Sequence, residues 1–317
     1  MHPSHFSDAY LLTGPTASGK TAASLLLAER LGAEIISMDS MALYRGMDIG
    51  TAKPSLEERQ RVRHHLVDVL EPWENATLAW WLEQASAACE EIRQRGKRIL
   101  IVGGTPLYLK GLLHGIFTGP SRDVELRKQL EALPGPELHA RLQQEDPVTA
   151  ARLHPNDVRR LVRALEVLQH TGRSISQQQQ QFQQRHPRAI PALGLEPPRA
   201  MLYERINQRV LAMMDQGLLT EVHRLLAQPQ PLSKEAEQAV GYTELRGYLE
   251  GKQTLAQAVE RMQIRSRQFA KHQLTWFRHL PELTMVPIAG TETAREIAEQ
   301  VWARWHAAHV VTNRHFE

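Results

Sequence analysis

Short apolar runs alternate with amphipathic stretches over the first hundred residues. The apolar runs span residues 9–12, 33–37 and 98–102, and they predict buried strands. Apolar positions recur with the helical period over residues 21–31 and 78–95, and a glycine follows each of these two stretches, as is common where a helix ends. Strands and helices in alternation predict an α/β fold with a parallel sheet flanked by helices.

The pattern changes at about residue 116. Prolines interrupt short amphipathic segments from there to residue 191, and no strand is predicted until residues 192–195. The sequence therefore predicts a first part of a catalytic core over residues 1–115, an all-helical insertion domain over 116–191, and the rest of the core over 192–317. In the last segment helices are predicted at residues 199–216 and 293–308. The glutamine-rich run at residues 177–184 is expected to be exposed helix or linker.

One amphipathic segment near the C-terminus has charge of a single sign. Residues 261–281 contain seven Arg, Lys or His residues and no acid. On a helix, one side is predicted to pack in a core and comprises Met262, Phe269 and Trp276. The opposite side is predicted to form a positive ridge of Arg267, Lys271 and Arg278. Arg265 lies nearer the apolar side, which indicates a buried partner or a role in a pocket.

The predicted insertion domain is also basic. Its positive residues include Arg152, His154, Arg159, Arg160, Arg163, His170 and Arg173. A solvated helix face usually mixes charges of both signs, so charge of one sign favours a polyanion as the partner.

The composition narrows the class of protein. The 317 residues carry a net charge of +3, and 42% of them are hydrophobic. No apolar run is long enough for a membrane span, so no membrane partner is expected. The single cysteine, Cys89, excludes an internal disulfide and a cysteine metal site, which fits a reducing cytoplasm. The adjacent His64 and His65 are expected to be packing or hydrogen-bonding residues, because neighbours on a strand point to opposite faces.

The most specific motif lies between the first strand and the first helix. Residues 14–21 read GPTASGKT and have the spacing of a P-loop, G-x-x-x-x-G-K-[ST]. Such a loop wraps backbone N–H groups around a phosphate at a helix N-terminus. Lys20 is expected to neutralise phosphate oxygens, and the Thr21 hydroxyl is expected to bind Mg²⁺. The alternative is a glycine-rich turn without a ligand.

Two further strand ends are expected to face this loop. Asp39 follows the second strand, where it is a candidate Mg²⁺ ligand, a candidate base, or a cap of the next turn. The strand over residues 98–102 runs into Gly103, Gly104 and Thr105. A kinase or ATPase with a P-loop usually has an acidic residue at such a position, so its absence counts against ATP hydrolysis.

Several sequence blocks together resemble the tRNA dimethylallyltransferase family. Besides the loop, they are ISMDS (36–40), GMDIGTAKP (46–54), VGGT (102–105), HPND (154–157), RALEV (163–167), AVGY (239–242) and QLTWFR (273–278). The resemblance runs from residue 9 to about 285. It implies a P-loop NTPase-like fold and the transfer of a dimethylallyl group from dimethylallyl diphosphate. The acceptor is the exocyclic N6 amine of the adenosine 3′-adjacent to the anticodon, in tRNAs that read codons beginning with U.

The resemblance also implies roles for individual residues. Asp39 is implied as the general base, Thr105 as a positioning residue for the amine, and Thr21 as the Mg²⁺ ligand. Diphosphate binding is assigned to Gly14, Pro15, Thr16, Ala17, Ser18, Gly19, Lys20, Thr21 and Arg199. The tRNA contacts are assigned to Asp39, Ser40, Met41, Ala42, Thr105, Arg127, Arg159, Arg160, Leu161, Val162, Arg163, Ala239, Val240, Gly241, Tyr242, Thr243, Glu244, Lys271, His272, Gln273, Leu274, Thr275, Trp276, Phe277 and Arg278. A monomer is expected.

This chain departs from the family at three of these places. Pro106 stands where glycine is usual, Arg159 where glutamine is common, and His272 where arginine is usual. Proline is tolerated in the first turn of a helix, so Pro106 is compatible with a helix that starts after Thr105. The rival functions are a small-molecule or nucleotide kinase and a P-loop RNA-binding factor without transfer chemistry.

Overall fold

The computed structural model describes residues 3–116, 119–120, 123–178, 188 and 190–313. The chain divides into two compact units, one formed by residues 1–113 with 187–317 and the other by residues 114–186. The second unit overlaps the insertion predicted over residues 116–191. Residues 179–184 of the glutamine-rich run lie outside the described residues.

The first unit is built on a six-stranded sheet in which every pair of neighbours is parallel. The strands are β1 (Tyr10–Thr13), β2 (Ala33–Ser37), β3 (His64–His65), β4 (Arg98–Gly103), β5 (Ala192–Glu196) and β6 (Leu283–Pro287). Their order is β3-β2-β4-β1-β5-β6. The four central strands are almost wholly buried, as expected of parallel strands with helices on both faces. The predicted α/β fold with a parallel sheet is confirmed.

The helices follow the predicted pattern in most places. In chain order they are α1 (Lys20–Leu31), α2 (Leu56–Arg61), α3 (Leu78–Gln94), α4 (Pro106–His114), α5 (Val124–Glu131), α6 (Gly135–Glu145), α7 (Pro147–Ala150), α8 (Val158–Thr171), α9 (Ile175–Gln178), α10 (Arg199–Asp215), α11 (Leu218–Leu226), α12 (Lys234–Glu237), α13 (Tyr242–Leu249), α14 (Leu255–Arg278) and α15 (Ala294–Asn313). None of the helices in the described part of the chain has the length and apolar content of a membrane span.

The two faces of the sheet are covered by different helices. On one face α1 and α15 pack over the strands, and the ring of Trp305 meets Tyr10 edge-on with 4.9 Å between centroids. Trp81 of α3 is fully buried, and its indole nitrogen donates to the carbonyl of Ser37 at 3.2 Å. Its ring also stacks on Tyr108 of α4, 4.6 Å away. These contacts fix the carboxyl ends of β2 and β4, where the predicted site lies.

The orientation predicted for α14 is wrong for part of the helix. Met262 is buried as predicted, but Phe269 is 45% exposed and Trp276 is 37% exposed. The residues of α14 that are buried are Ala258, Met262, Ala270, Gln273, Leu274 and Phe277. The prediction followed residues seven apart, whereas the buried residues of the C-terminal half, Ala270, Gln273, Leu274 and Phe277, have the three- and four-residue spacing of a neighbouring side of the helix.

Candidate active site

The P-loop joins β1 to α1, as its sequence predicts. Gly19 precedes the helix with a φ of 86°, a left-handed value that glycine adopts without strain. Lys20 is the first residue of α1, and its ammonium group donates to the carbonyl of Pro15 at 3.2 Å. The loop therefore presents its backbone at the N-terminus of a buried helix, where anions bind favourably.

The ammonium group of Lys20 has a lowered pKa. Burial lowers the pKa of Lys20 from 10.5 to about 8, while the negative charge of Asp39 opposes this effect and Arg209 adds to it. Lys20 therefore lies within electrostatic range of both residues. A bound anion would favour the charged ammonium and raise this pKa again.

Asp39 and Thr105 are held by the ends of neighbouring strands. The carboxylate of Asp39 accepts from the backbone N–H of Met41 at 2.9 Å, which forms a local turn. The hydroxyl of Thr105 accepts from the backbone N–H of Ser40 at 3.0 Å, and the N–H of Thr105 donates to the carbonyl of Met38 at 3.2 Å. The structure thus brings together the two residues assigned to catalysis.

Glycine at position 103 allows the end of β4 to lie directly against the backbone of Met38. A Cβ atom added there would lie 2.1 Å from the carbonyl oxygen of Met38, closer than any real contact. Pro106, the departure from the family pattern, is the first residue of α4, where its missing N–H is not needed. The helix therefore starts directly after Thr105.

Gln273 of α14 connects the P-loop to the strand end beside it. Its side chain is 3% exposed. Its carbonyl oxygen accepts from the backbone N–H of Thr16 at 2.9 Å, and its amide nitrogen donates to the carbonyl of Gly104 at 2.6 Å. Gln273 was assigned to tRNA binding, but its side chain lies inside the unit and faces the P-loop.

Arg209 belongs to the site, although sequence reasoning missed it. It lies on α10, and burial lowers the pKa of its guanidinium while the charge of Asp39 raises it. The signal in the sequence is an arginine close to the apolar face formed by Leu202, Ile206 and Val210. Arg209 forms no hydrogen bond or ion pair with any other described residue, so its charge remains available to an anion.

Arg199, which was assigned to the diphosphate, has different surroundings. It is exposed in the first turn of α10, and its Nε donates to the hydroxyl of Tyr203 at 2.9 Å. Its guanidinium also lies over the Tyr203 ring, 5.2 Å from the centroid. None of these contacts involves the P-loop, and Arg199 and Arg209 are ten positions apart on the same helix.

The loop over residues 46–54 is fixed by two buried charges. Glu221 is 5% exposed, and its carboxylate accepts from the backbone N–H groups of Asp48, Ile49 and Gly50 at 2.9, 2.8 and 3.1 Å. The ammonium of Lys53 donates to the carbonyl of Tyr44 at 2.6 Å and pairs with Asp48 at 2.9 Å and Asp68 at 2.5 Å. A cavity of about 750 Å³ lies against this loop, and Arg209 is part of its lining.

The residues assigned to tRNA in 239–244 divide into exposed and buried ones. Thr243 is exposed and Val240 is partly exposed. The rest are buried and comprise Ala239, Gly241, Tyr242 and Glu244. Glu244 pairs with Arg265, which is the buried partner that the sequence indicated for this arginine.

On helix α14, only some of the residues assigned to tRNA binding are exposed to solvent. The exposed ones are Lys271, His272, Thr275, Trp276 and Arg278. Gln273, Leu274 and Phe277 are buried. Arg278 pairs with Glu196 at 2.6 Å, and the ammonium of Lys110 lies 5.9 Å from the centre of the Trp276 ring.

In the second unit, a buried acid engages two of the assigned arginines. Glu166 has no exposed side-chain surface, and it accepts from Arg127 at 2.8 Å and from Arg163 at 2.5 Å. Burial disfavours its charge, but these hydrogen bonds and the N–H of Asp123 lower the pKa of Glu166 to about 2. Leu161 and Val162 are buried, whereas Arg159 and Arg160 are exposed. Arg160 pairs with Asp157 at 3.1 Å on the surface, and among the assigned residues of this unit these two arginines are the ones whose side chains are exposed to a polyanion.

Comparison with known proteins identifies the family. The model of the IPP transferase family matches residues 42–280, and a second model, isopentenyl transferase, matches residues 7–69. The chain belongs to the IPP transferase family. A tRNA dimethylallyltransferase of Geobacter metallireducens is 46% identical over 289 residues, which are 88% of this chain and 92% of the relative. A tRNA dimethylallyltransferase of Shouchella clausii is 44% identical over 298 residues, and the match covers 92% of this chain and 95% of the relative.

Solved IPP transferases have the same fold. The full-length tRNA isopentenylpyrophosphate transferase of Bacillus halodurans is 37% identical, with a TM-score of 0.71 over 97% of this chain and 99% of its own. A eukaryotic dimethylallyltransferase acting on tRNA is 27% identical, with a TM-score of 0.78 over 91% of this chain and 77% of its own. The family, the P-loop-like fold and the prenyltransferase class predicted from the sequence are confirmed.

The residues at the P-loop are compatible with the expected Mg²⁺. The part of the chain that the structure describes contains no group of three His, Cys, Asp or Glu side chains that could enclose a metal ion. Mg²⁺ commonly keeps several waters and is held by one or two protein groups together with substrate phosphates. Thr21, partly exposed beside Lys20, is a suitable single ligand of this kind.

Proposed function

We propose that this protein transfers a dimethylallyl group from dimethylallyl diphosphate to the N6 amine of the adenosine 3′-adjacent to a tRNA anticodon. The observation that carries the proposal is the position of Asp39 near Lys20, with Thr105 bonded to the adjacent Ser40, in a chain of the IPP transferase family. The names of the relatives support the reaction and the nucleic acid.

The P-loop and its cations would hold the leaving group. In the transfer, the bond from the dimethylallyl C1 to the diphosphate oxygen breaks, and the diphosphate leaves with the electron pair. Lys20 and Arg209 would neutralise the charge that grows on this oxygen. Thr21 would hold Mg²⁺, which supplies further neutralisation when it is bound.

Asp39 and Thr105 would act on the acceptor. The adenine nitrogen forms a bond to C1, and one of its protons must be removed. Asp39 is the base in this proposal, because one of its carboxylate oxygens is used in the turn with Met41 and the other has no hydrogen bond within the described residues. Thr105, fixed by Ser40, would orient the amine.

The RNA would be bound by exposed cations on both units. We assign this role to Arg159 and Arg160 on the second unit and to Lys271 and His272 on α14, with Trp276 as an exposed aromatic ring for base contact. The target base has to leave its stack to reach a site at the end of the strands. The monomeric state and the cytoplasmic location expected from the sequence remain predictions.

The experiment is to incubate the protein and Mg²⁺ with unmodified tRNA and labelled dimethylallyl diphosphate. Nucleosides are then analysed by mass spectrometry, and N6-isopentenyladenosine is the expected product. A parallel incubation with γ-labelled ATP tests the kinase alternative. Label transfer from ATP without prenylated nucleoside would overturn the proposal.

A further inference from the structure

The amide of Gln273 makes polar contacts between helix α14 and the P-loop, where Ala17 also packs against Ala270 and Leu274 of the same helix. Both ends of this amide are bonded, the oxygen to the N–H of Thr16 and the nitrogen to the carbonyl of Gly104. The two partners lie in different loops, at the carboxyl ends of the adjacent strands β1 and β4. One side chain therefore bridges these two loops, in addition to the pairing of Thr13 with Gly103 in the sheet.

The two loops carry the two halves of the reaction in the proposed function. Thr16 belongs to the loop that would hold the diphosphate, next to Pro15, whose carbonyl accepts from Lys20. Gly104 directly precedes Thr105, which would orient the amine. A shift of one loop relative to the other would move the leaving group away from the acceptor.

The space around the Gln273 amide is tightly filled. A Cβ atom at position 104 would lie 2.6 Å from the amide nitrogen of Gln273 and 3.1 Å from the carbonyl of Gly14. The contact also needs an acceptor and a donor on one planar group. Methionine has a similar volume but makes neither bond, and an ionised glutamate accepts but cannot donate.

We propose that Gln273 is a positioning residue, which sets the P-loop against the Gly104–Thr105 segment so that diphosphate and acceptor amine are in register. This inference rests on the proposed function for the identity of the two substrates. Gln273 acts through Thr16 and Gly104, to which the oxygen and nitrogen of its amide are bonded. A misplacement of about 1 Å between reacting groups can lower a rate about 100-fold.

The test compares Gln273→Met with Gln263→Met in the full-length protein. Gln263 is a matched control, because it lies on the same helix and donates to a backbone carbonyl, that of Asn207, at 3.4 Å. Three quantities are measured: the affinity for inorganic diphosphate with Mg²⁺, the single-turnover transfer rate with both substrates saturating, and the affinity for tRNA. A thermal unfolding midpoint shows whether each variant is folded at the assay temperature.

For Gln273→Met we expect a transfer rate and a diphosphate affinity lower by about 10- to 100-fold, with tRNA affinity unchanged within about twofold. Gln263→Met is expected to match the wild type. Gln273→Glu gives a second readout, because only the protonated carboxyl group has both an acceptor and a donor. Its transfer rate relative to Gln273→Met should therefore rise as the pH is lowered.

Two results would overturn the inference. In the first, Gln273→Met transfers as fast as the wild type or binds diphosphate more tightly. The glutamine would then only accept a hydrogen bond from the N–H of Thr16 and would not position the loops for transfer. If Gln273→Glu shows no gain relative to Gln273→Met at low pH, the two hydrogen bonds do not set the rate. A wild-type protein that neither binds diphosphate nor prenylates tRNA would instead contradict the proposed function, and this inference with it.

Discussion

The hydroxyl group of Tyr242 donates a 2.6 Å hydrogen bond to the carboxylate of Glu221. The same carboxylate accepts from three consecutive backbone N–H groups of the 46–54 loop. Burial and the charge of Glu221 raise the pKa of Tyr242, which keeps the phenol a neutral donor. A Cβ atom at Gly50 would lie 2.5 Å from the Tyr242 ring, so the loop and this ring fit closely. Glu221 and Tyr242 therefore hold the 46–54 loop in place.

Removal of this hydroxyl should lower stability. Tyr242→Phe leaves the ring in place and deletes one hydrogen bond to a buried charge, at a cost of about 1.5–3 kcal/mol in the free energy of unfolding. Tyr248→Phe on the same helix is the control, since Tyr248 is partly exposed. Chemical denaturation measures both variants. Equal stabilities would mean that the Glu221 carboxylate does not depend on this donor.

The pKa of Lys20 predicts opposite effects of pH on stability and on binding. Between pH 8 and 10.5 the unfolded chain holds a proton on Lys20 that the folded chain has lost, so this group makes folding more favourable as the pH rises. Diphosphate binding needs the charged ammonium and should weaken above about pH 8. Calorimetric titration with diphosphate from pH 7 to 9.5 measures this. Lys20→Met corrects for ionisation of the ligand, and a wild-type curve parallel to that of the variant would contradict the prediction.

Arg209 and Arg199 should differ in their effect on diphosphate. Arg209→Met removes an unpaired charge beside Lys20 and Asp39, which should weaken binding by about 1.5–3 kcal/mol, or roughly 10- to 100-fold. Arg199→Met is the matched variant on the same helix and should change the affinity by less than about twofold. A larger loss at Arg199 than at Arg209 would restore the assignment made from the sequence.

The sequence predicts well what depends on local pattern. The strands β1, β2, β4 and β5 are short and mostly apolar, and the P-loop motif lies at the strand–helix junction it needs. The two residues of the edge strand β3, His64 and His65, were treated as strand residues. The other edge strand, β6, was missed, since it is partly exposed and ends at a proline.

The parts of the site that the sequence did not predict depend on contacts between residues far apart in the chain. The bonds of Gln273 join positions 16, 104 and 273, and no local pattern records them. The side of α14 that is buried was predicted wrongly at Phe269 and Trp276, because it depends on the partners packed along 24 residues. Arg127 and Arg163 were assigned to tRNA binding because they are basic. Both pair with the buried Glu166, and the sequence does not show this contact.

Substitution of Arg127 should affect stability, whereas substitution of Arg160 should affect RNA binding. Arg127→Met removes a partner of the buried Glu166 carboxylate and should lower the free energy of unfolding by about 1.5–3 kcal/mol. Arg160 pairs with Asp157 only at the surface, so Arg160→Met should change stability by less than about 1 kcal/mol. It should reduce the slope of log affinity for tRNA against log salt by about one. Unfolding and salt titrations are measured on both variants. The reverse result would make Arg127 the RNA contact.

Asp39→Asn isolates the proposed base. The asparagine oxygen can still accept from the N–H of Met41, so the turn is retained while the base is lost. If Asp39 acts only in the transition state, the variant should bind diphosphate and tRNA nearly as the wild type does. If Asp39 instead holds the metal, diphosphate affinity and Mg²⁺ dependence should change together.

The most direct test is the single-turnover rate of dimethylallyl transfer to saturating tRNA, measured over a Mg²⁺ titration for the wild type and Asp39→Asn. The wild type should form N6-isopentenyladenosine, and the variant should be slower by about 10²–10⁴-fold at every Mg²⁺ concentration. Recovery of the variant at high Mg²⁺ would assign Asp39 to the metal. A wild type that forms no prenylated adenosine would contradict the proposed function itself.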